Sequence, residues 1–435
     1  MATIRPFQGW RYAPDHDLTA LLAPPYDVIS AGERQSFAVR HPQNVVHLIL
    51  PQADIAADLD PYQHAARIFQ SWSKQGVLLQ DPSPVCYLLR QTFRLPDGVT
   101  AVRRGFAAQL LLAPWGQGIL PHERTFPQAK ADRLALLRAT GLQDSPIFTL
   151  FRDPKAVVTA RIASGQESAP DATFGDDQGD LHELWSVVDP DLIADLAEAM
   201  STHVLYVADG HHRYETSLAY QSWRRYQEDN PPVGRPYDYC LAYFASMDDP
   251  GTVILPTHRL VTHGHRSDSG HLIASLSADF DVLPFADDQA LITTLASRPA
   301  GEATFGLIVE NGAPCLLRLR PSDHQRALLQ AEYGSVVAGL PVAVLQALVL
   351  GPCFGISSDP QTQKAQLQFE PDAGVAAAHV RAGRAQAALL TTPTGMDQLA
   401  AVADSGTVAP PKATYFYPKL PAGLVFNQVE THPPA

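Results

Sequence analysis

The sequence predicts an α/β protein with a mixed sheet, and three observations carry that expectation. The apolar run His203–Ala208 reads as a strand, breaks at Asp209-Gly210, and resumes as the helical pattern of Tyr214–Tyr226; that strand–turn–helix order belongs to α/β folds. Two β-rich runs, Val85–Arg94 and Arg104–Leu112, flank Pro96-Asp97-Gly98, which is a hairpin signal. Between such runs lie segments of helical spacing.

Taken in order, the chain opens on a proline-punctuated entry. Ala23-Pro24-Pro25-Tyr26-Asp27-Val28-Ile29-Ser30 cannot be helix interior, because proline lacks the N–H donor and fixes φ. Val45–Leu50 reads as a short strand. Tyr62–Gln75 carries Ala65, Ile68, Phe69 and Trp72 on one helical face, and Gly76 stands where a C′ glycine ends a helix. After the hairpin, Lys130–Thr140 is a helix closed by Gly141, and Ile147–Phe151 is a strand. Residues 164–180 are rich in Gly, Ser and Asp and read as an exposed loop. Leu192–Met200 is a helix and Tyr239–Ala245 a strand. Residues 262–270 read as a linker, followed by a mixed helix and strand pattern and a second proline-rich block, Pro410–Lys419.

The 435 residues exceed one compact core, since single cores stop growing near about 250–300 residues. A net charge of −13 lowers the expectation of nucleic-acid binding, which needs a basic field, and suits an enzyme of small molecules. Cys86, Cys240, Cys315 and Cys353 form no CxxC pair and read as buried free thiols. No signal-like or membrane-spanning apolar run is present. The expected location is the cytoplasm.

The richest constellation is Asp209-Gly210-His211-His212-Arg213. A helix beginning here offers free N–H groups and a dipole to an anion. Arg213 adds a forked donor suited to phosphate, and the two adjacent histidines add donors of a type that can titrate near neutrality. Asp209 can hold Mg²⁺ or position a reacting group; the plainer alternative is that it caps the helix. A second cluster, His122-Glu123, can present a general base. Phe126 stands where HExxH would need histidine, which disfavours a zinc site. His258 and Arg259 end another strand, Lys412 and Lys419 flank an aromatic run, and Tyr26 and Asp27 can face a ligand. For each of these, a packing role stands beside the functional one.

Together these segments resemble an uncharacterised bacterial and archaeal family, domain of unknown function 1015. The matching stretches are Pro24–Ile29, Leu120–Glu123, Ser145–Ile147, Ala208–Thr216, Pro256–Arg259 and Thr414–Lys419. The order His122-Glu123, helix, Ser145-Pro146-Ile147, strand, Asp209–Arg213 is also similar to the ParB/sulfiredoxin fold and its free-serine kinases. That resemblance implies such a core within 105–262, an N-terminal extension over 1–104 and a C-terminal α/β domain over 263–435. It implies ADP or ATP with Mg²⁺ as cofactors. Glu123 and His122 then act at the substrate hydroxyl, with Asp209 on metal, and Gly210, His211, His212 and Arg213 on phosphates. Apart from the resemblance, Tyr26, Asp27, His258, Arg259, Lys412 and Lys419 are candidate substrate contacts. The expected reaction is phosphoryl transfer to a small hydroxylated metabolite. The alternatives are a nucleotide-binding regulator without turnover and a metal-dependent phosphoesterase. The partners are substrate and nucleotide, with neither membrane nor nucleic acid.

Overall fold

The computed structural model describes residues 2–125, 127–265 and 269–430; the expected linker at 262–270 therefore lies partly outside the described residues. The chain divides into two compact units. One comprises Met1–Pro121, Thr125–Thr252 and Pro418–Ala435; the other comprises His122–Arg124 and Val253–Tyr417.

The first unit is built on a nine-stranded mixed sheet. Its strands in chain order are β1 (Ile4–Arg5), β2 (Cys86–Arg94), β3 (Thr100–Leu111), β4 (Ile119–Leu120), β5 (Ile147–Phe151), β6 (Ala172–Gly175), β7 (Leu181–Val187), β8 (Leu205–Asp209) and β9 (Tyr239–Ser246). Across the sheet they run β4-β8-β5-β9-β3-β2-β7-β6, with β1 on the far end of β3. The β4/β8 and β5/β9 pairs are parallel and the others antiparallel. Phe106, Phe151, Val207 and Phe244 lie in its apolar core, with Phe106 and Phe244 stacked at 4.8 Å. All four cysteines are buried and free.

Local chemistry explains the helices. In α1 (Pro61–Lys74), Asp60 accepts from the Tyr62 and Gln63 N–H groups, while the Gln63 side chain returns to the Asp60 N–H. That capping box satisfies otherwise orphaned donors. Gly76 then leaves the helix at φ 75°, open to glycine at little cost. The other helices used below are α2 (Pro127–Thr140), α3 (Pro190–Met200) and α4 (His211–Gln227).

Two expectations need correction. Val45–Leu50 is not a strand: Val46–Ile49 is a single helical turn, because the Asn44 side chain accepts the Val46 N–H and starts it. Residues 164–180 are not all loop. Ala172–Gly175 pairs with β7, and the turn between them is fixed by Asp176, whose carboxylate accepts from the Gln178 and Asp180 N–H groups.

The second unit carries a six-stranded sheet in which every pair is antiparallel. Its order is Phe280–Pro284, Cys315–Leu319, Thr304–Val309, Ala387–Thr391, His258–Val261, Leu367–Glu370. Phe280, Phe305, Leu317 and Leu389 are among its buried core. No helix among the described residues is long and apolar enough to cross a membrane.

Candidate anion-binding turn and a second polar cluster

The candidate residues fall into two groups. Tyr26, Asp27, Asp209, Gly210, His211, His212, Arg213 and Lys419 belong to the first unit; His122, Glu123, His258, Arg259 and Lys412 belong to the second. Lys412 and Lys419, seven residues apart, thus serve different units.

In the first unit, β8 ends at Asp209 and α4 begins at His211. Gly210 is the N-cap, at φ 89° and ψ 25°, and no side chain caps the helix. Asp209 is therefore not the cap that the plainer sequence reading made it. Its Oδ1 instead accepts the Gly210 N–H at 2.7 Å. The left-handed turn needs glycine, and a Cβ there would lie 3.1 Å from the Arg213 guanidinium. Arg213 folds back beneath the turn, donates to the Pro146 carbonyl, and holds Nη2 3.9 Å from Asp209 Oδ1.

Lys419 arrives from the other end of the chain and donates from Nζ to Asp209 Oδ2 at 3.1 Å. Two cations thus converge on one carboxylate at a helix N-terminus. Counting Arg213 and Lys419 against Asp209, the local formal charge is +1. His211 is buried, with Trp115 6.3 Å from its ring. Further along α4, burial pushes the Glu215 carboxyl up, but Lys130, Thr125 and Trp115 outweigh it and hold it below the usual range.

Tyr26 begins a short 3-10 turn, and Asp27 beside it is exposed. Burial, then the Asp27 charge, pushes the Tyr26 hydroxyl up to about 12, while Arg213 and Arg133 oppose the shift. The Arg133 guanidinium lies 4.3 Å above the Tyr26 ring. Beside Arg213 opens a small recess of about 40 Å³ whose lining includes Arg133, Ser145, Thr216 and Ser217. The Thr216 Oγ1 in it is buried and makes no hydrogen bond.

In the second unit, three separated motifs meet on one turn. His122 Nε2 lies 2.8 Å from Thr414 Oγ1, and the His122 carbonyl accepts the Ala409 N–H. Glu123 Oε1 accepts the Lys412 N–H at 3.0 Å, and Arg259 donates to the Lys412 carbonyl at 3.1 Å. Lys412 itself is at φ 58°, an uncommon conformation for a residue with a Cβ. His258 accepts the Thr391 N–H, and burial, reinforced by Arg259, drives its imidazole down to about 3. Burial likewise lowers Arg259 to about 10.

Sequence reasoning singled out both ends of the Asp209–Lys419 and Glu123–Lys412 contacts but not their pairing. It missed Arg103 and Gln91, which hold the backbone at Pro418 and Lys419. A signal for them existed. The hairpin centres on Asp97, so Gln91, six residues before it, faces Arg103, six residues after it.

Residues 4–343 match the model of a family described as protein of unknown function (DUF1015). No curated protein matches the chain. Among solved structures, a free serine kinase in complex with AMP is similar at 10% identity and a TM-score of 0.30, over 69% of this chain and 83% of that one. A conserved hypothetical protein from Pyrococcus furiosus is similar at 13% identity and a TM-score of 0.30, over 70% and 90%. SbnI from Staphylococcus aureus, with a C-terminal truncation, is similar at 10% identity and a TM-score of 0.29, over 70% and 81%.

Proposed function

We propose, for a chain that belongs to the DUF1015 family of proteins of unknown function, that the Asp209–Arg213 turn holds the phosphates of ADP or ATP. The protein then transfers a phosphoryl group between that nucleotide and a small hydroxylated metabolite of the serine type. One observation carries the reading: Arg213 and Lys419 converge on Asp209 at the N-terminus of a 17-residue helix. A helix N-terminus favours anions, and charge-assisted bonds to phosphate are the strong ones. The reaction itself comes from the sequence resemblance to free-serine kinases, as does the assignment of residues 105–262 to a ParB/sulfiredoxin-like core.

Phosphoryl transfer asks a protein mainly to position groups and stabilise charge. Gly210 to Arg213 hold phosphate oxygens in this reading. Mg²⁺ is bound through one or two carboxylates together with substrate phosphates, and Asp209 is a carboxylate of that kind. Bound there, the ion would neutralise charge on the phosphates. Glu123 takes the proton of the acceptor hydroxyl, with His122 beside it. Tyr26, Asp27, His258, Arg259 and Lys412 remain proposed substrate contacts.

A second reading is a nucleotide-binding regulator without turnover. The observation favouring it is that Glu123 Oε1 already accepts the Lys412 N–H, a structural task for the carboxylate. The phosphoesterase reading has less support, because no group of three or more metal-ligating side chains occurs among the described residues.

The experiment is a thermal-shift series with ADP and ATP, each with Mg²⁺, followed by a phosphoryl-transfer assay with and without serine and related hydroxyl compounds. Ligand at a hundred times its Kd should add about 2.7 kcal/mol of stability. Acceptor-dependent product supports the kinase, and nucleotide binding without product supports the regulator. No shift with millimolar nucleotide rejects both.

A further inference from the structure

We propose that Arg103 and Gln91 are positioning residues that hold Lys419 against Asp209, so that a polar row buried in the sheet sets the affinity of the turn for anions. The inference deepens the anion-binding reading of that turn and rests on it.

The row follows from strand register. Gln91 on β2 faces Arg103 on β3 and, across its other edge, His182 on β7; His182 in turn faces Phe174 on β6. Directly opposed residues on neighbouring strands share one face of a sheet. Gln91, Arg103 and His182 are each 0% exposed. Burying a guanidinium costs several kcal/mol even after relaxation. Here the charge lies 4.7 Å from the Phe148 ring centroid and 5.9 Å from that of Tyr243, an arrangement that offsets part of the cost. An apolar side chain of similar volume would avoid the cost altogether, so what the row holds is the informative point.

It holds backbone. The Arg103 Nη2 donates to the Pro418 carbonyl at 2.6 Å, and Gln91 Nε2 donates to the Lys419 carbonyl at 3.3 Å. Both carbonyls that bracket the Lys419 Cα are therefore fixed from inside the sheet. The Gln91 amide has no freedom to flip. Its Oε1 takes the Arg103 Nε and Nη2 donors, which leaves Nε2 as donor towards His182 Nδ1 and the Lys419 carbonyl. His182 Nδ1 must then accept, so its proton sits on Nε2, which faces Asp176 Oδ2 at 3.0 Å. Phe174 stacks flat on the His182 ring at 4.8 Å and 6°. The chain of contacts runs from Asp176 through His182, Gln91 and Arg103 to the Lys419 backbone. It ends at the Nζ–Asp209 pair.

A lysine side chain has among the largest rotamer entropies of any residue. Fixing its Cα confines where the ammonium can swing and keeps a second cation at the turn before any anion arrives. That is preorganisation, which raises affinity by lowering the ordering cost of binding.

The test is a double-mutant cycle on the full chain, read as ADP affinity by calorimetry. Arg103→Met should weaken ADP binding about tenfold, the scale of one charge-assisted bond, and should cause no further weakening in a Lys419→Met background. Equal weakening in both backgrounds overturns the inference, since a merely structural arginine would act independently of Lys419. Gln91→Glu provides the second variant: it keeps the acceptor for Arg103 but removes the donor to the Lys419 carbonyl, and should also lose its effect without Lys419. A readout free of nucleotide separates this inference from the function on which it rests. Acetylation of the Lys419 amine, followed by mass spectrometry with Lys412 as internal reference, should be several-fold faster in Arg103→Met than in wild type. If wild type binds no ADP, the nucleotide reading fails alone, and the acetylation rate still decides the positioning role. Unchanged Lys419 reactivity in both folded variants refutes it.

Discussion

Replacing Arg213 with alanine tests the anion-binding turn most directly. The arginine side chain is 13% exposed, donates to the Pro146 carbonyl and reaches within 3.9 Å of Asp209. Its removal leaves Lys419 facing Asp209 and takes the local formal charge from +1 to 0. Losing one charge-assisted bond to a phosphate should cost about 1.5–3 kcal/mol, roughly 10- to 150-fold in Kd. The fold is affected too, because the Pro146 carbonyl loses a donor; that penalty should be about 1–3 kcal/mol. Calorimetric titration with ADP, run well below the melting temperature of each variant, separates the two losses. Arg213→Lys keeps the charge without the fork and should fall between wild type and Arg213→Ala. A folded Arg213→Ala protein whose ADP affinity lies within twofold of wild type would refute the reasoning.

Glu123→Gln keeps an acceptor for the Lys412 N–H while removing basicity. Turnover should fall by about 10²–10⁴ with nucleotide affinity within a few-fold, and wild-type turnover would remove Glu123 from the mechanism. His258 is held far below its ordinary value, so its contribution to stability is complete above about pH 6.5 and is lost as pH falls towards 3. At pH 5 that loss is about 2 kcal/mol. His258→Asn should therefore show a shallower acid decline in urea midpoint than wild type, and identical declines would contradict a buried neutral imidazole. Gly105→Ala would place a Cβ 2.4 Å from the Phe244 carbonyl and the Tyr243 ring, costing about 1–3 kcal/mol. An unchanged urea midpoint would show that β3 yields more easily than its packing implies.

Local chemistry made part of this protein legible in its sequence. The break at Asp209-Gly210 lies within a few residues of both the strand and the helix it joins. The same is true of the Gly76 terminus and the hairpin about Asp97. Each depends on backbone sterics or on donors left orphaned at an element's end, and these act over one turn of chain. Val46–Ile49 was misread because a β-rich composition reports burial as readily as strand, and Asn44 settled the matter by starting a helical turn. The edge strand at Ala172–Gly175 was hidden by its polar neighbours, although those neighbours build the turn that folds it onto β7.

The long-range partners were decided by tertiary structure alone. Asp209 and Lys419 are 210 residues apart, Arg103 and Pro418 are 315 apart, and Glu123 and Lys412 are 289 apart. No periodicity in a short window encodes such pairings. They follow from the order in which strands close a sheet and from the C-terminal segment returning to the first unit at Pro418. The sequence therefore supplied a helix start able to receive an anion. The second cation there, and the buried row that holds its backbone, exist because strand register set Gln91 beside Arg103 and His182 on one face of one sheet.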